Sequence, residues 1–186
     1  MKLKKFIALA LAVITLIGVF YFGSISVLKT LYPLKYADSV ERQAEENNLS
    51  PYFVYAVIEC ESGFDPEAVS HVGATGLMQI MPDTFEWISS KLGEAKDYSL
   101  ATKPEVSIKY GCYLYGYLMK KYKSEETALA AYHAGMGNAD KWLRDERYSA
   151  DGKTLHTIPF PSTADYVKKV IRTKNIYEKL YDRKDA

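Results

Sequence analysis

The sequence predicts an all-α protein, and three observations carry that expectation. Apolar residues recur at helical spacing along most of the chain beyond Leu34. Proline, serine and threonine stand where helices should start, and glycine stands where they should stop. No segment alternates with a period of two, and no hairpin dipeptide separates apolar runs.

The first element is expected to be a membrane helix. Lys2, Lys4 and Lys5 precede a stretch from Phe6 to Leu28 that carries no charge. Roughly 20 apolar residues cross the hydrocarbon core as a helix, so residues 1–30 read as a signal-anchor. Its lysine-rich tip would stay in the cytoplasm, with the remainder outside. A cleaved signal peptide is the competing reading. Its apolar region is usually about 7–15 residues long and ends in a small-x-small site. Ser24-Ile25-Ser26 matches such a site weakly, and the apolar run continues past it into Val27 and Leu28. Either reading exports residues 31–186, which suffice for one domain with a single core.

Within that domain, Leu34, Ala37, Val40 and Ala44 mark a helix ending near Asn48. Ser50-Pro51 opens the next, with a capping hydroxyl and a proline at the first helical position. From Pro51 to Glu61 it is apolar nearly all round, so it should be buried, and Gly63 stops it. Residues 64–81 form a connection containing Pro66, Gly73 and Gly76. Pro82, with Asp83 as its expected cap, opens a helix that Gly93 stops. Pro104 begins a long helix through Ile108, Cys112, Tyr115 and Leu118. Ser124 caps a helix over 125–134, and Asn138 is expected to cap a further turn or two up to Arg144. Residues 145–161 are unpatterned, and Ser162 or Thr163 is expected to cap a closing helix through Leu180.

The composition narrows the function classes. With 48% apolar and 25% charged residues, the chain has the balance of a globular protein and not of a disordered one. A net charge of +1 with interspersed signs lacks the basic face that neutralises phosphates, which excludes a nucleic-acid binder. Cys60 and Cys112 both fall on expected helices. In an exported domain they can bridge if those helices touch, or they can be two small buried hydrophobes. His71, His133 and His156 show no metal-ligand spacing with each other or with the cysteines. Sixteen tyrosines are the one excess; most should pack helices, and a few can line a sugar cleft.

Glu61 ends an otherwise apolar helix. On the helix pattern alone it is a solvated terminal acid, with Glu59 as its twin. A carboxyl held against an apolar wall, by contrast, keeps its proton to higher pH, which is what protonating a glycosidic leaving oxygen requires.

A larger pattern decides between these. Glu61-Ser62-Gly63-Phe64-Asp65-Pro66, Ala68-Val69-Ser70, and the run Gly73-Ala74-Thr75-Gly76-Leu77-Met78-Gln79-Ile80-Met81-Pro82 closely resemble the signature of soluble lytic transglycosylase (SLT) domains, relatives of goose-type lysozyme. Ala130-Ala131-Tyr132-His133-Ala134-Gly135 resembles that family's A-Y-N-A-G motif. Ile158-Pro159-Phe160-Pro161, followed by Thr163, Tyr166 and Val167, resembles its closing segment. The likeness covers about residues 39–180, with three motifs in order.

The resemblance implies a lysozyme-like helical domain that cuts the glycan strands of peptidoglycan, with no cofactor and no metal. It implies Glu61 as the single catalytic acid. Ser62, Ser70, Gln79, Met81, Tyr132, His133 and Tyr166 are implied to contact or position the substrate, with the Tyr166 hydroxyl directed toward the catalytic carboxyl. It also implies that no second carboxylate is needed, because the substrate's acetamido group can stabilise the developing cation and its C6 hydroxyl can close a 1,6-anhydro ring. Asp65, Glu67 and Asp83 are then not nucleophiles. Two positions depart from the pattern: His133 stands for the usual asparagine, and Ser162 for a glutamate before the threonine.

Overall fold

The computed structural model describes residues 2–182, and among the described residues every regular element is helical. The all-α expectation is met. Helix α1 (Lys2–Leu31) precedes α2 (Ala37–Glu46), α3 (Pro51–Ser62), α4 (Pro82–Leu92), a short 3₁₀ helix (Tyr98–Thr102), α5 (Pro104–Tyr122), α6 (Glu125–Ala134), α7 (Met136–Leu143) and α8 (Pro161–Tyr181).

Helix α1 stands out by its surface. Leu16, Ile17, Phe20 and Phe22 are all exposed, and nothing in the domain covers them. Its Val13–Leu31 stretch is long and apolar enough to cross a membrane, about 28 Å at 1.5 Å per residue. Its end is tied to the domain through α8. Tyr181 Oη donates to the Tyr32 carbonyl at 2.8 Å, and Tyr177 Oη donates to the Pro33 carbonyl at 3.2 Å.

The core is built on α3. Phe53 through Ile58 are all at most 1% exposed, because this helix has no polar face to offer water. It packs most extensively on α8 and also touches α2, while α5 lies between α2 and α6. Gly63, at φ 60°, ends α3, as its sequence position predicts. Tyrosine serves mainly as a packing residue here: Tyr55, Tyr110, Tyr115 and Tyr177 are among the largest fully buried side chains.

Several local expectations need correction. Helix α2 starts at Ala37, not Leu34, since Tyr36 takes a left-handed conformation (φ 59°) before it. The Ser50 side chain makes no capping bond; its carbonyl accepts from Phe53 N and Val54 N instead. Met81, not Asp83, is the N-cap of α4, because Pro82 already occupies the first turn. Asn138 lies inside α7, where its amide donates to the Ala134 carbonyl at 2.8 Å, and Gly135 is the N-cap. Helix α8 begins at Pro161 with Phe160 as N-cap, so Ser162 and Thr163 are first-turn residues. Cys60 and Cys112 are free thiols, so the bridge left open above is absent. They face different neighbours: Cys60 Sγ donates to Thr173 Oγ1 on α8 at 3.6 Å, while Cys112 is fully buried in α5.

Candidate active site

Glu61 lies in the last turn of α3, where the buried helix meets the connection 63–81. From α8, Tyr166 Oη donates to Glu61 Oε1 at 2.6 Å, and Tyr115 Oη on α5 lies 2.9 Å from Tyr166 Oη. Three helices therefore converge behind one carboxyl. Burial disfavours its charged form and raises its pKa to about 7, against the opposing pull of the Tyr166 hydrogen bond and, less strongly, the Lys169 ammonium. The carboxyl can therefore hold a proton at neutral pH and release it. Burial also raises the Tyr115, Tyr132 and Tyr166 hydroxyls far above their ordinary range, so all three remain donors.

The connection 63–81 is folded tightly despite lacking regular structure. Thr75 pairs with both Val69 and Ile80 in isolated antiparallel bridges. Ser70 Oγ accepts from Ala74 N at 2.9 Å, and Tyr98 Oη is 2.7 Å from both the Gly73 and the Ile80 carbonyls. Gly76 donates its N–H to the Ala68 carbonyl at 2.9 Å and sits at φ +83°, where an added Cβ would lie 2.0 Å from the Ala101 carbonyl oxygen. Only glycine fits both the conformation and the space. Gln79 is also left-handed, at φ 46°, and its Nε2 donates to the Ala68 and Gly76 carbonyls at 3.0 Å each. A non-glycine residue in this region stores backbone strain, which other contacts must hold in place.

Each residue singled out in the sequence has a definite place. Ser62 Oγ bonds the Ile58 carbonyl at 3.2 Å and the Leu77 carbonyl at 2.9 Å, so its hydroxyl ties the end of α3 to the connection. Ser70 and Gln79 spend part of their hydrogen-bonding capacity on the loop itself. Met81 is 40% exposed, at the entrance to α4. Tyr132 stacks on Tyr115, with ring centroids 4.1 Å apart, and donates to the Met78 carbonyl. His133 Nδ1 lies 3.0 Å from Thr163 Oγ1, and its ring packs at 4.6 Å on Tyr166. Burial lowers its pKa, so imidazole is accommodated as a neutral prop for Tyr166. Ser162 is exposed.

A groove of about 250 Å³ adjoins the site through Tyr132, with Trp87, Leu114, Leu118 and Met136 among its walls. Glu61 is not one of those walls, which come from α4, α5, α6 and the start of α7. Asp83 and Thr84 supply polar groups at its edge, and an apolar floor with a few polar rim groups suits a sugar face.

Sequence reasoning missed Tyr98, Ser107 and Tyr115. The first two only brace the connection. Ser107 Oγ accepts from Met78 N at 3.1 Å while 1% exposed. Ser107→Ala should therefore leave a buried N–H without a partner and cost about 1–3 kcal/mol. A lowered thermal midpoint and weaker activity check it; an unchanged midpoint would show that the loop is held elsewhere. No local pattern marks these residues, since each acts on a segment distant in the chain.

Among the described residues no cluster of His, Cys, Asp and Glu could hold a metal ion. Residues 38–155 match the family described as "Transglycosylase SLT domain". The chain is 32% identical to the soluble lytic murein transglycosylase of Salmonella typhimurium over 86% of its own length and 25% of that relative's. It is 26% identical to the membrane-bound lytic murein transglycosylase C of Haemophilus ducreyi, over 77% of this chain and 45% of the other. An inactive mutant of the lytic transglycosylase Slt from Pseudomonas aeruginosa has the same fold, with a TM-score of 0.74 at 32% identity, covering 83% of this chain and 26% of that one. The chain thus spans about a quarter of the length of the soluble relatives it matches. Tyr166 lies beyond the matched residues 38–155 and joins the site through the packing of α8 on α3.

Proposed function

The chain belongs to the SLT transglycosylase domain family, and on that premise we propose that it is a peptidoglycan lytic transglycosylase with Glu61 as its sole acid/base. The reaction is cleavage of the β-1,4 bond between N-acetylmuramic acid and N-acetylglucosamine without water, leaving 1,6-anhydromuramic ends. The observation that carries this reading is the isolated, desolvated Glu61 carboxyl, tuned to about 7 and held by Tyr166. Asp65, Glu67 and Asp83, the nearest acids in sequence on its C-terminal side, are exposed and lie outside that setting.

Glu61 begins protonated and gives its proton to the glycosidic oxygen as the bond to the anomeric carbon breaks. The substrate's acetamido oxygen supports the cation that develops, in place of a second carboxylate. Glu61, now a carboxylate accepting from Tyr166, takes the proton of the C6 hydroxyl as its oxygen closes onto the anomeric carbon. The proton returns to Glu61, and no water is consumed. This chemistry asks for neither metal nor organic cofactor.

The proposed location rests on α1. With its lysine-bearing start in the cytoplasm, α1 would anchor the domain in the cell membrane and hold Glu61 outside, within a short reach of the wall. Residues 31–186 would then be the catalytic domain, and glycan strands and the membrane its partners.

Mass spectrometry of peptidoglycan digested by the full chain tests the reaction. Anhydro-ended products, lighter by one water than hydrolysed ones, are expected. Products carrying that water would assign a lysozyme-type hydrolase of the same fold, and no products at all would assign a silent wall-binding module.

A further inference from the structure

Behind Glu61 runs a hydroxyl chain longer than the cleavage chemistry alone requires. Tyr166 Oη is 2.6 Å from Glu61 Oε1, and Tyr115 Oη is 2.9 Å from Tyr166 Oη. Tyr115 is 0% exposed, and its ring is fixed by stacking on Tyr132 and by edge contact with Phe53 at 5.0 Å.

Each tyrosine has one hydrogen to give, so the chain can point in two directions. In one, Tyr115 donates to Tyr166 and Tyr166 donates to Glu61 Oε1. In the other, a proton on Oε1 is donated to Tyr166, and Tyr166 donates to Tyr115. The second direction strands the hydrogen of Tyr115, because among the described residues its hydroxyl has no hydrogen-bond neighbour but Tyr166. A fully buried donor without an acceptor is costly. The first direction gives both tyrosine hydrogens an acceptor.

We propose that Tyr115 is a positioning residue whose buried hydroxyl sets the direction of the Tyr115–Tyr166–Glu61 chain and so keeps the transferable proton of Glu61 on Oε2. This rests on reading Glu61 as the acid. A proton on Oε1 would be spent on Tyr166, whereas one on Oε2 is free for the glycosidic oxygen. After transfer, the same chain helps the carboxylate, since a hydroxyl that accepts a hydrogen bond becomes a better donor. The groups near Glu61 are Tyr166 and Lys169 on α8, Tyr115 on α5, Tyr132 on α6, and Cys60 beside it on α3; His133 on α6 touches Tyr166 from the far side. Of these only the two tyrosines of the chain reach the carboxyl through hydroxyl hydrogens.

Tyr115→Phe keeps the ring stack and removes the donor. The Glu61 carboxyl, followed by carbon-13 NMR in the full chain in detergent and assigned by difference from Glu61→Gln, should then titrate higher by about half a pH unit. Turnover should fall about three- to tenfold with KM unchanged. On a Tyr166→Phe background the same substitution should shift nothing, because the chain is already cut. An unmoved titration in Tyr115→Phe, or an equal shift on both backgrounds, overturns the proposal. If Tyr115→Phe does not fold, 3-fluorotyrosine at position 115 is a stronger donor and must lower the Glu61 titration; no shift there overturns it as well. Titrations that move as expected, alongside a Glu61→Gln protein that still cuts glycan, would sink the acid assignment and leave the tyrosine chain standing.

Discussion

Glu61→Gln is expected to lower glycan cleavage by about 10²–10⁴-fold, the usual contribution of a positioned general acid, and to make the protein more stable above neutral pH. The two effects share one cause. The carboxyl is desolvated, and its pKa is about 7 against 4.5 unburied. The folded state therefore binds the proton more tightly than the unfolded state, and stability is lost as pH rises from about 4.5 through about 7. The cost above that window is at most about 3.5 kcal/mol, at roughly 1.4 kcal/mol per unit. Glutamine keeps the shape and the acceptor for Tyr166 but cannot ionise. Its thermal midpoint should exceed that of the parent by up to roughly 7–14 °C at pH 8 and match it near pH 4. Cleavage by the parent protein should fall tenfold per pH unit above the Glu61 titration, as the acid form is depleted. Undiminished cleavage by Glu61→Gln would remove Glu61 from the mechanism. A midpoint lowered at pH 8 would contradict a carboxyl whose burial outweighs the Tyr166 hydrogen bond and the Lys169 charge.

Gly76→Ala should have the largest effect on the fold of the site. The residue sits at φ +83°, and a Cβ would meet the Ala101 carbonyl oxygen at 2.0 Å and Ser107 Oγ at 3.0 Å. The left-handed conformation alone costs an alanine about 1–2 kcal/mol, and overpacking adds about 1–3 kcal/mol. The obstacle is backbone of the 3₁₀ helix, which cannot swing aside as a flexible side chain would. The shift would displace Met78, whose N–H is held by Ser107 and whose carbonyl accepts from Tyr132, and with it Gln79. A thermal midpoint lower by about 6–12 °C and near-complete loss of cleavage are expected. Gly73→Ala separates the two causes: its φ is +87°, but nothing lies within 4 Å of the added Cβ, so only the conformational cost applies. Equal losses for both variants would mean that the close approach to Ala101 is not what constrains position 76.

Where sequence reading succeeded, the information was local. Pro51, Pro82 and Pro104 each mark a helix start because their fixed φ and missing N–H suit the first turn, and the structure starts helices there. Gly63 and Gly93 mark stops, since both take the left-handed conformation. It failed where two adjacent signals competed. Ser50 precedes a proline and leaves its hydroxyl unused, and Asn138 follows Gly135 and Gly137, so Gly135 takes the cap and the Asn138 amide bonds back to the Ala134 carbonyl.

The sequence by itself determined the helical content, the buried nature of α3, the apolar first helix, and the motif residues around Glu61, because each is written in periodicity or in contiguous spacing. It could not set the state of Glu61. A glutamate at the end of a helix is ordinarily solvated, and its proton affinity here depends on α8 bringing Tyr166 across 105 positions and α5 bringing Tyr115 behind it. Desolvation and hydrogen-bond direction are properties of neighbours in space, so only the packing of α3, α5 and α8 decided that this carboxyl can hold a proton at neutral pH.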